Sequence, residues 1–315
     1  MTALASALGR TLNYVAAAGL LVIFLRRAEW RVVADGFHRV TWSLIALAVL
    51  VRLASIAVSA LRWQALLAPL RHVPYTASLM ATLIGSAASA VLPIQVAEFV
   101  RPILLSRRYR LRATVTAATA IVEWALDAVA VFTLFALALL WLGLPDELFG
   151  VVRGAPLVLA FAVAVMGGLF LLGRRSGEGR LPSAIARSID GFAAGLRVLT
   201  DRRQALRLCT QSFVIAALTA ISAWLTLAAF EMRVSVGSGF VLLGLVTLAG
   251  MIPTPGAVGG FEVVCQVGLA ALFHFDRVRT IGPVLGLHAV TYAPAAFAGA
   301  ICLAAWPLRQ EQAPQ

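Results

Sequence analysis

Ile252-Pro253-Thr254-Pro255-Gly256-Ala257-Val258-Gly259-Gly260-Phe261-Glu262 interrupts a long apolar stretch, and Leu92-Pro93-Ile94-Gln95-Val96-Ala97-Glu98-Phe99-Val100-Arg101 does the same earlier in the chain. Each is a helix-breaking turn built on Pro, or on Pro and Gly, with a carboxylate a few residues on. Lipid solvates neither broken backbone nor a carboxylate, so such segments persist only where they face protein or a watery cavity. Two of them in corresponding places point to a duplicated architecture with a site between its halves.

The surrounding sequence is that of a membrane protein. Of 315 residues, 61% are hydrophobic, and the mean hydropathy is +0.92, beyond the range of soluble chains. A spanning helix needs about 20 mostly apolar residues. Such stretches run over 5–25, 41–61, 114–142, 155–173, 208–230 and 281–306. Two more, 76–106 and 239–275, hold the interruptions, and each is long enough for two half-helices meeting at the turn. The expected fold class is therefore an all-α polytopic membrane protein, with about six full spans plus two re-entrant helical hairpins in one transmembrane domain, 1–315. A second limb that completes a span is the other reading of each hairpin. The apolar run Leu12 to Leu25 lacks a small-x-small cleavage site and continues into Arg26-Arg27, so it reads as a retained first helix rather than a signal peptide.

All 26 basic residues are Arg, and the formal net charge is +12. Most lie between apolar spans, where they set topology and meet anionic headgroups. Nucleic acid is not an expected partner. With the N-terminus inside, 17 Arg, Arg62 and Arg101 among them, are assigned to the cytoplasmic side, 8 to the outside and Arg52 to a span. Both termini are thus expected in the cytoplasm, although segment 26–40 puts four Arg on the wrong side. In 174–207, Leu181, Ile185, Ile189, Phe192, Leu196 and Leu199 recur at helical spacing, with charged residues elsewhere on the wheel. This segment reads as a cytoplasmic amphipathic helix lying under the bilayer.

The two halves superimpose as sequence. Span 41–61, hairpin 76–106 and span 114–142 match span 208–230, hairpin 239–275 and span 281–306, giving inverted repeats over 41–142 and 208–306. Glu98 then corresponds to Glu262, Glu123 to His288 and Asp127 to Tyr292. Residues four apart share one helix face, so each half offers a carboxylate behind a turn and a polar pair on the next helix.

These residues form the candidate substrate pathway: Glu98, Arg101, Glu123, Asp127, Glu262, His288, Tyr292 and Arg52. Glu123 and Asp127 sit deep in apolar sequence, where a carboxylate costs about 2.5–3.5 kcal/mol on insertion scales. Arg52 and Arg101 are the nearest counter-ions by predicted depth. The pair either holds helices together or handles substrate or protons. Glu98 and Glu262 lie near half-helix starts, where they cap backbone N–H groups, serve transport, or do both. His288 reads equally as a proton relay or as an interhelical hydrogen-bond partner. The re-entrant turns comprise Pro93, Pro253, Pro255, Gly256, Gly259 and Gly260, whose glycines allow close approach of a ligand or a helix. In Gly282-Pro283-Val284-Leu285-Gly286, tight packing is the expectation. Cys209, Cys265 and Cys302 are far apart, without metal-ligand spacing, and read as packing residues. No nucleophile–base constellation or nucleotide loop is visible, so neither a catalytic residue nor a cofactor nor a metal is expected.

At these residues the chain resembles the flippase-like transmembrane domain of lysylphosphatidylglycerol synthases and its stand-alone relatives. Leu61-Arg62-Trp63, Leu92-Pro93 through Glu98 and Arg101, Glu123 to Asp127, and Pro253-Thr254-Pro255-Gly256 through Glu262 carry the resemblance over nearly the whole chain. It implies a helical fold with re-entrant segments that moves lipids, often anionic or aminoacylated phospholipids, between leaflets of the cell inner membrane. There are departures. Gln95 and Ala97-Glu98 stand where Arg and Gly-Glu are usual, Trp124 and His288 where Arg is common, and Ala257 where a second Gly is usual. Fewer cations are therefore expected in the cavity, and a less anionic or proton-coupled substrate. The sequence ends just after the last helix, so the soluble aminoacyl-transfer domain is expected to be absent and the chain not to be an enzyme. The function expected is translocation of a phospholipid or other polar-headed lipid through a cavity between the repeats. The alternatives are a proton-coupled transporter of a small organic anion and a non-catalytic membrane partner of an envelope-lipid biosynthetic enzyme. Membrane lipids are the expected partners, and the sequence does not define an oligomeric state.

Overall fold

A computed structural model of the chain describes residues 18–25, 29–142, 201–250 and 254–306. The proposed span 155–173, most of the amphipathic segment 174–207, the start of span 5–25, and Pro253 lie outside the described residues. Those described form ten helices after a helical stretch at 18–25: α1 Trp30–His38, α2 Trp42–Leu67, α3 Tyr75–Ser89, α4 Ile94–Ala97, α5 Val100–Tyr109, α6 Ala113–Leu142, α7 Arg202–Ala229, α8 Gly237–Ala249, α9 Gly260–Phe273 and α10 Arg277–Ala305. Among the described residues there is no strand; the only β feature is an isolated bridge between Pro93 and Pro255.

Among the described residues four helices are long and apolar enough to cross a membrane: Trp42–Leu67, Val115–Leu142, Arg202–Ala229 and Arg277–Ala305. They coincide with four of the six expected spans. Their starts follow from local chemistry. The Asp201 carboxylate accepts from the Arg203 N–H, and the Asp276 carboxylate from the Val278 N–H, so α7 and α10 each open on an N-cap. As a result α7 begins six residues before the expected 208–230. The end of α2 is a correction of more consequence. Its apolar window closes at Leu61, but the helix runs on to Leu67, with Trp63, Leu66 and Leu67 fully buried.

The two interrupted stretches are broken helices, as their turns require. α3 has 15 residues, α5 has 10, α8 has 13 and α9 has 14. At 1.5 Å per residue none reaches the roughly 30 Å of a hydrocarbon core. α3 packs against α5, and α8 against α9. The turns meet each other: Pro93 bridges Pro255, and the Gly256 N–H donates to the Ser89 carbonyl at 2.9 Å. Gly256 and Gly259 have φ of 62° and 85°, a conformation only glycine adopts without strain. Ala257, where the resemblance leads one to expect glycine, shares it at 58°.

Small residues bring the helices close. A Cβ on Gly299 would overlap the Leu83 carbonyl across the α3–α10 contact, and one on Gly286 would strike the Phe230 ring. The packing expectation for Gly282 to Gly286 is met. Interhelical hydrogen bonds add to it, from the Ser78 hydroxyl to the Ala60 carbonyl at 2.9 Å and from the Ser222 hydroxyl to the Ala48 carbonyl at 2.8 Å. One core gathers Trp63, Leu66, Leu105, Tyr109 and Val122, and another gathers Phe261, Cys265, Leu269, Ile281 and Leu287. Between them the bundle leaves a polar space.

Candidate functional site

That space is a cavity of about 280 Å³ lined from α2, α3, the α4–α5 segment, α6, α7 and α10. Two polar stripes build it. On α2, Arg52, Ser55, Ser59 and Arg62 recur at intervals of three, four and three, which keeps them on one helix face. On α3, Thr82, Ser86 and Ser89 do the same. Glu98, Arg101, Trp124, Asp127, Thr291 and Tyr292 complete the wall.

Five side chains form one chain of alternating charge. Arg62 pairs with Asp127 through its two terminal guanidinium nitrogens, Nη1 and Nη2, and Nη2 also reaches Glu123 Oε1 at 3.3 Å. Glu123 Oε2 lies 2.7 Å from Arg101, whose same nitrogen, Nη2, donates to Glu98 at 3.2 Å. The order is Asp127, Arg62, Glu123, Arg101, Glu98. Its middle is sealed: Glu123 is 0% exposed and Arg62 1%. Its two ends are open, with Asp127 38% and Glu98 33% exposed. Arg62 also donates to the Ser212 hydroxyl at 2.7 Å, which ties α7 to the pair. Arg101 sits over the Trp63 ring at 5.0 Å, and the Trp63 indole donates to Thr119 at 3.0 Å. These contacts fix the guanidinium positions, although Arg62 Nε and Arg101 Nε keep no hydrogen-bond partner among the described residues.

The structure sorts the expected counter-ions. Arg101 pairs with Glu123 as its depth implied. Arg52 does not. Its Nε donates to the Thr291 carbonyl at 3.2 Å and its Nη1 to the Ser55 hydroxyl at 2.9 Å. Among the described residues no carboxylate lies within ion-pairing distance of it. The residue missed as a counter-ion was Arg62. It had been counted as a cytoplasmic loop cation, because an arginine ends a hydropathy window whether it faces water or an acid. The Arg52-Ser55-Ser59-Arg62 stripe was the signal that could have found it. Arg62 and Arg101 thus leave the loop count, reducing 17 cytoplasmic arginines to 15. Three arginines line the cavity, Arg52, Arg62 and Arg101.

The second half holds a smaller group. Glu262 Oε2 accepts from the Gly259 N–H at 2.7 Å, which is the capping role foreseen for it. Its Oε1 lies 2.7 Å from His288 Nδ1. The His288 and Tyr292 rings are 4.9 Å apart, both against Phe261, and Tyr292 reaches the cavity wall. Glu98, by contrast, makes no cap hydrogen bond among the described residues and joins the ion chain. In each half, then, the carboxylate behind the turn meets the first member of the polar pair on the following helix, Glu123 through Arg101 in one and His288 directly in the other.

A helical bundle with, among the described residues, four helices long and apolar enough to cross a membrane and a charged cavity among them is that of a multi-pass membrane protein. The family model for the lysylphosphatidylglycerol synthase TM region matches residues 4–299. The chain belongs to that family, as its Pro-turn and Glu123–Asp127 motifs implied. No curated protein and no solved structure matches it.

Proposed function

We propose that this protein is a lipid translocator that carries a polar headgroup through the central cavity while the acyl chains stay in lipid. The observation that carries this reading is the ion chain with a buried centre and two carboxylates open to one cavity. Exposed ends spare two carboxylates their desolvation cost in any network; what favours a pathway is that both open onto the same cavity, where a headgroup can reach them. In this reading the two broken-helix pairs are re-entrant hairpins from inverted repeats, and their touching turns close one side of the pathway. The protein sits in the cell inner membrane with both termini cytoplasmic, acts as a transporter rather than an enzyme, and works beside an envelope-lipid biosynthetic enzyme.

The test is headgroup translocation in proteoliposomes by wild type and Asp127→Asn, matched for protein amount and folded state. Asp127 is open to the cavity, and Arg62 keeps Glu123 when it is neutralised, so the variant is expected to fold and to lose translocation at least tenfold. Undiminished translocation overturns the role of Asp127. Transport of a small organic anion without any lipid movement, or no transport at all, replaces the reading by the solute-transporter or the partner-protein alternative.

A further inference from the structure

The cavity has two electrical poles. The chain Asp127–Arg62–Glu123–Arg101–Glu98 contains three carboxylates and two guanidiniums, so it carries one surplus negative charge. That surplus is presented at its ends, because Glu98 and Asp127 alone of the three carboxylates face the cavity. Arg52 supplies the opposite pole, a cation whose acceptors in the structure are a carbonyl and a hydroxyl, both neutral. It stands ten residues from Arg62 on α2, and among the described residues no ion pair joins it to Glu98 or Asp127, so neither pole cancels the other at contact distance. Both are in an interior where an uncompensated charge is expensive.

Resting on the translocator reading, we propose that the cavity selects a dipolar, net-neutral phospholipid headgroup, with its phosphate on Arg52 and its single ammonium between Glu98 and Asp127. Arginine suits a phosphate because its planar fork matches two phosphate oxygens. The Ser55 hydroxyl, which accepts from Arg52 at 2.9 Å and donates to the Arg52 carbonyl at 2.9 Å, holds the guanidinium in place at that end. An ammonium placed between the two open carboxylates turns a row of three anions and two cations into a balanced set of three and three. A phosphoglycerol headgroup, anionic only, satisfies Arg52 but leaves the surplus carboxylate unanswered. A lysyl ester of it brings one ammonium too many. Discrimination of this kind comes from leaving a buried charge unpaired in the wrong complex.

The experiment measures binding of four short-chain lipids with identical acyl chains to the purified full chain by native mass spectrometry. The lipids are phosphoethanolamine, alanyl-phosphoglycerol, phosphoglycerol and lysyl-phosphoglycerol. The proposal expects one or both net-neutral lipids to bind at least tenfold more tightly than the other two, and which of them binds identifies the source of the ammonium. Arg52→Gln should weaken the preferred lipid at least tenfold, and Arg52→Lys should restore most of it, which separates loss of charge from misfolding. Glu98→Gln with Asp127→Asn should erase the preference over phosphoglycerol. Phosphoglycerol binding as tightly as the neutral lipids overturns the proposal, as does unchanged binding in Arg52→Gln. If phosphoglycerol is also translocated in liposomes, the transport reading survives that failure. If no lipid binds or moves, both fall.

Discussion

Glu123 and Asp127 are one helical turn apart and both touch Arg62, yet they answer to different physics. Glu123 is sealed between two guanidiniums, and Arg62 and Arg101 both depend on it. Its neutralisation leaves two buried cations to share the end carboxylates, a loss of the kind that costs about 3–5 kcal/mol. Asp127 is open to the cavity, and water or substrate takes over part of its role. Glu123→Gln is therefore expected to lower the thermal midpoint in detergent by much more than Asp127→Asn, whereas Asp127→Asn is expected to stop translocation without unfolding the protein. Fluorescence-detected size-exclusion after a heating series measures the first. Equal midpoints for the two variants would mean that the centre of the chain is not its structural part. At this scale the sequence was only partly legible. Carboxylates in apolar sequence announce themselves, because lipid tolerates them so poorly. Their partners do not, since an arginine near the end of an apolar window has the same composition whether it turns outward to water or inward to an acid. Arg101 was recovered by depth alone, and Arg62 needed the three-four-three spacing of its stripe.

The elements were legible where composition decides them and obscure where contact does. Long apolar helices and Pro-broken pairs follow from length and backbone chemistry, which is why α2, α6, α7 and α10 fall on expected spans. Helix–helix distance follows from which glycine faces which backbone, and a linear sequence does not show that. Gly299 and Gly85 make the contrast. A methyl on Gly299 would overlap the Leu83 carbonyl, and backbone on both sides leaves nothing to rotate away. A methyl on Gly85 would sit 3.6 Å from Arg101 Cβ, an ordinary contact. Gly299→Ala is expected to separate α3 from α10 at a cost of at least about 2 kcal/mol, the scale of overpacking in a filled core. It should appear as loss of the monodisperse peak. Gly85→Ala is expected to keep that peak. If Gly299→Ala is as stable as wild type, the close approach of α3 and α10 is wrong.

At the scale of the whole molecule, the two sequence interruptions meet. Each turn alone is a break that lipid would not tolerate, and each supplies the other with protein surface: Pro93 bridges Pro255, and the Gly256 N–H finds the Ser89 carbonyl. Ser89 also lines the cavity, so the joint between the turns forms part of its wall. In the translocator reading a headgroup leaves the cavity on each side in turn, and among the described residues the joint between the turns consists of this bridge and this hydrogen bond. That reading places the opening there. Bridged residues on neighbouring extended segments have Cα atoms about 4.5–5.5 Å apart, within the range a disulfide spans. Pro93→Cys with Pro255→Cys, in a chain whose Cys209, Cys265 and Cys302 are replaced by Ala, is expected to crosslink on mild oxidation. The oxidised protein is expected to retain lipid binding but to lose translocation, and reduction should restore it. Translocation that continues at full rate with the turns covalently joined would show that they are a fixed partition, and that the pathway opens elsewhere around the cavity.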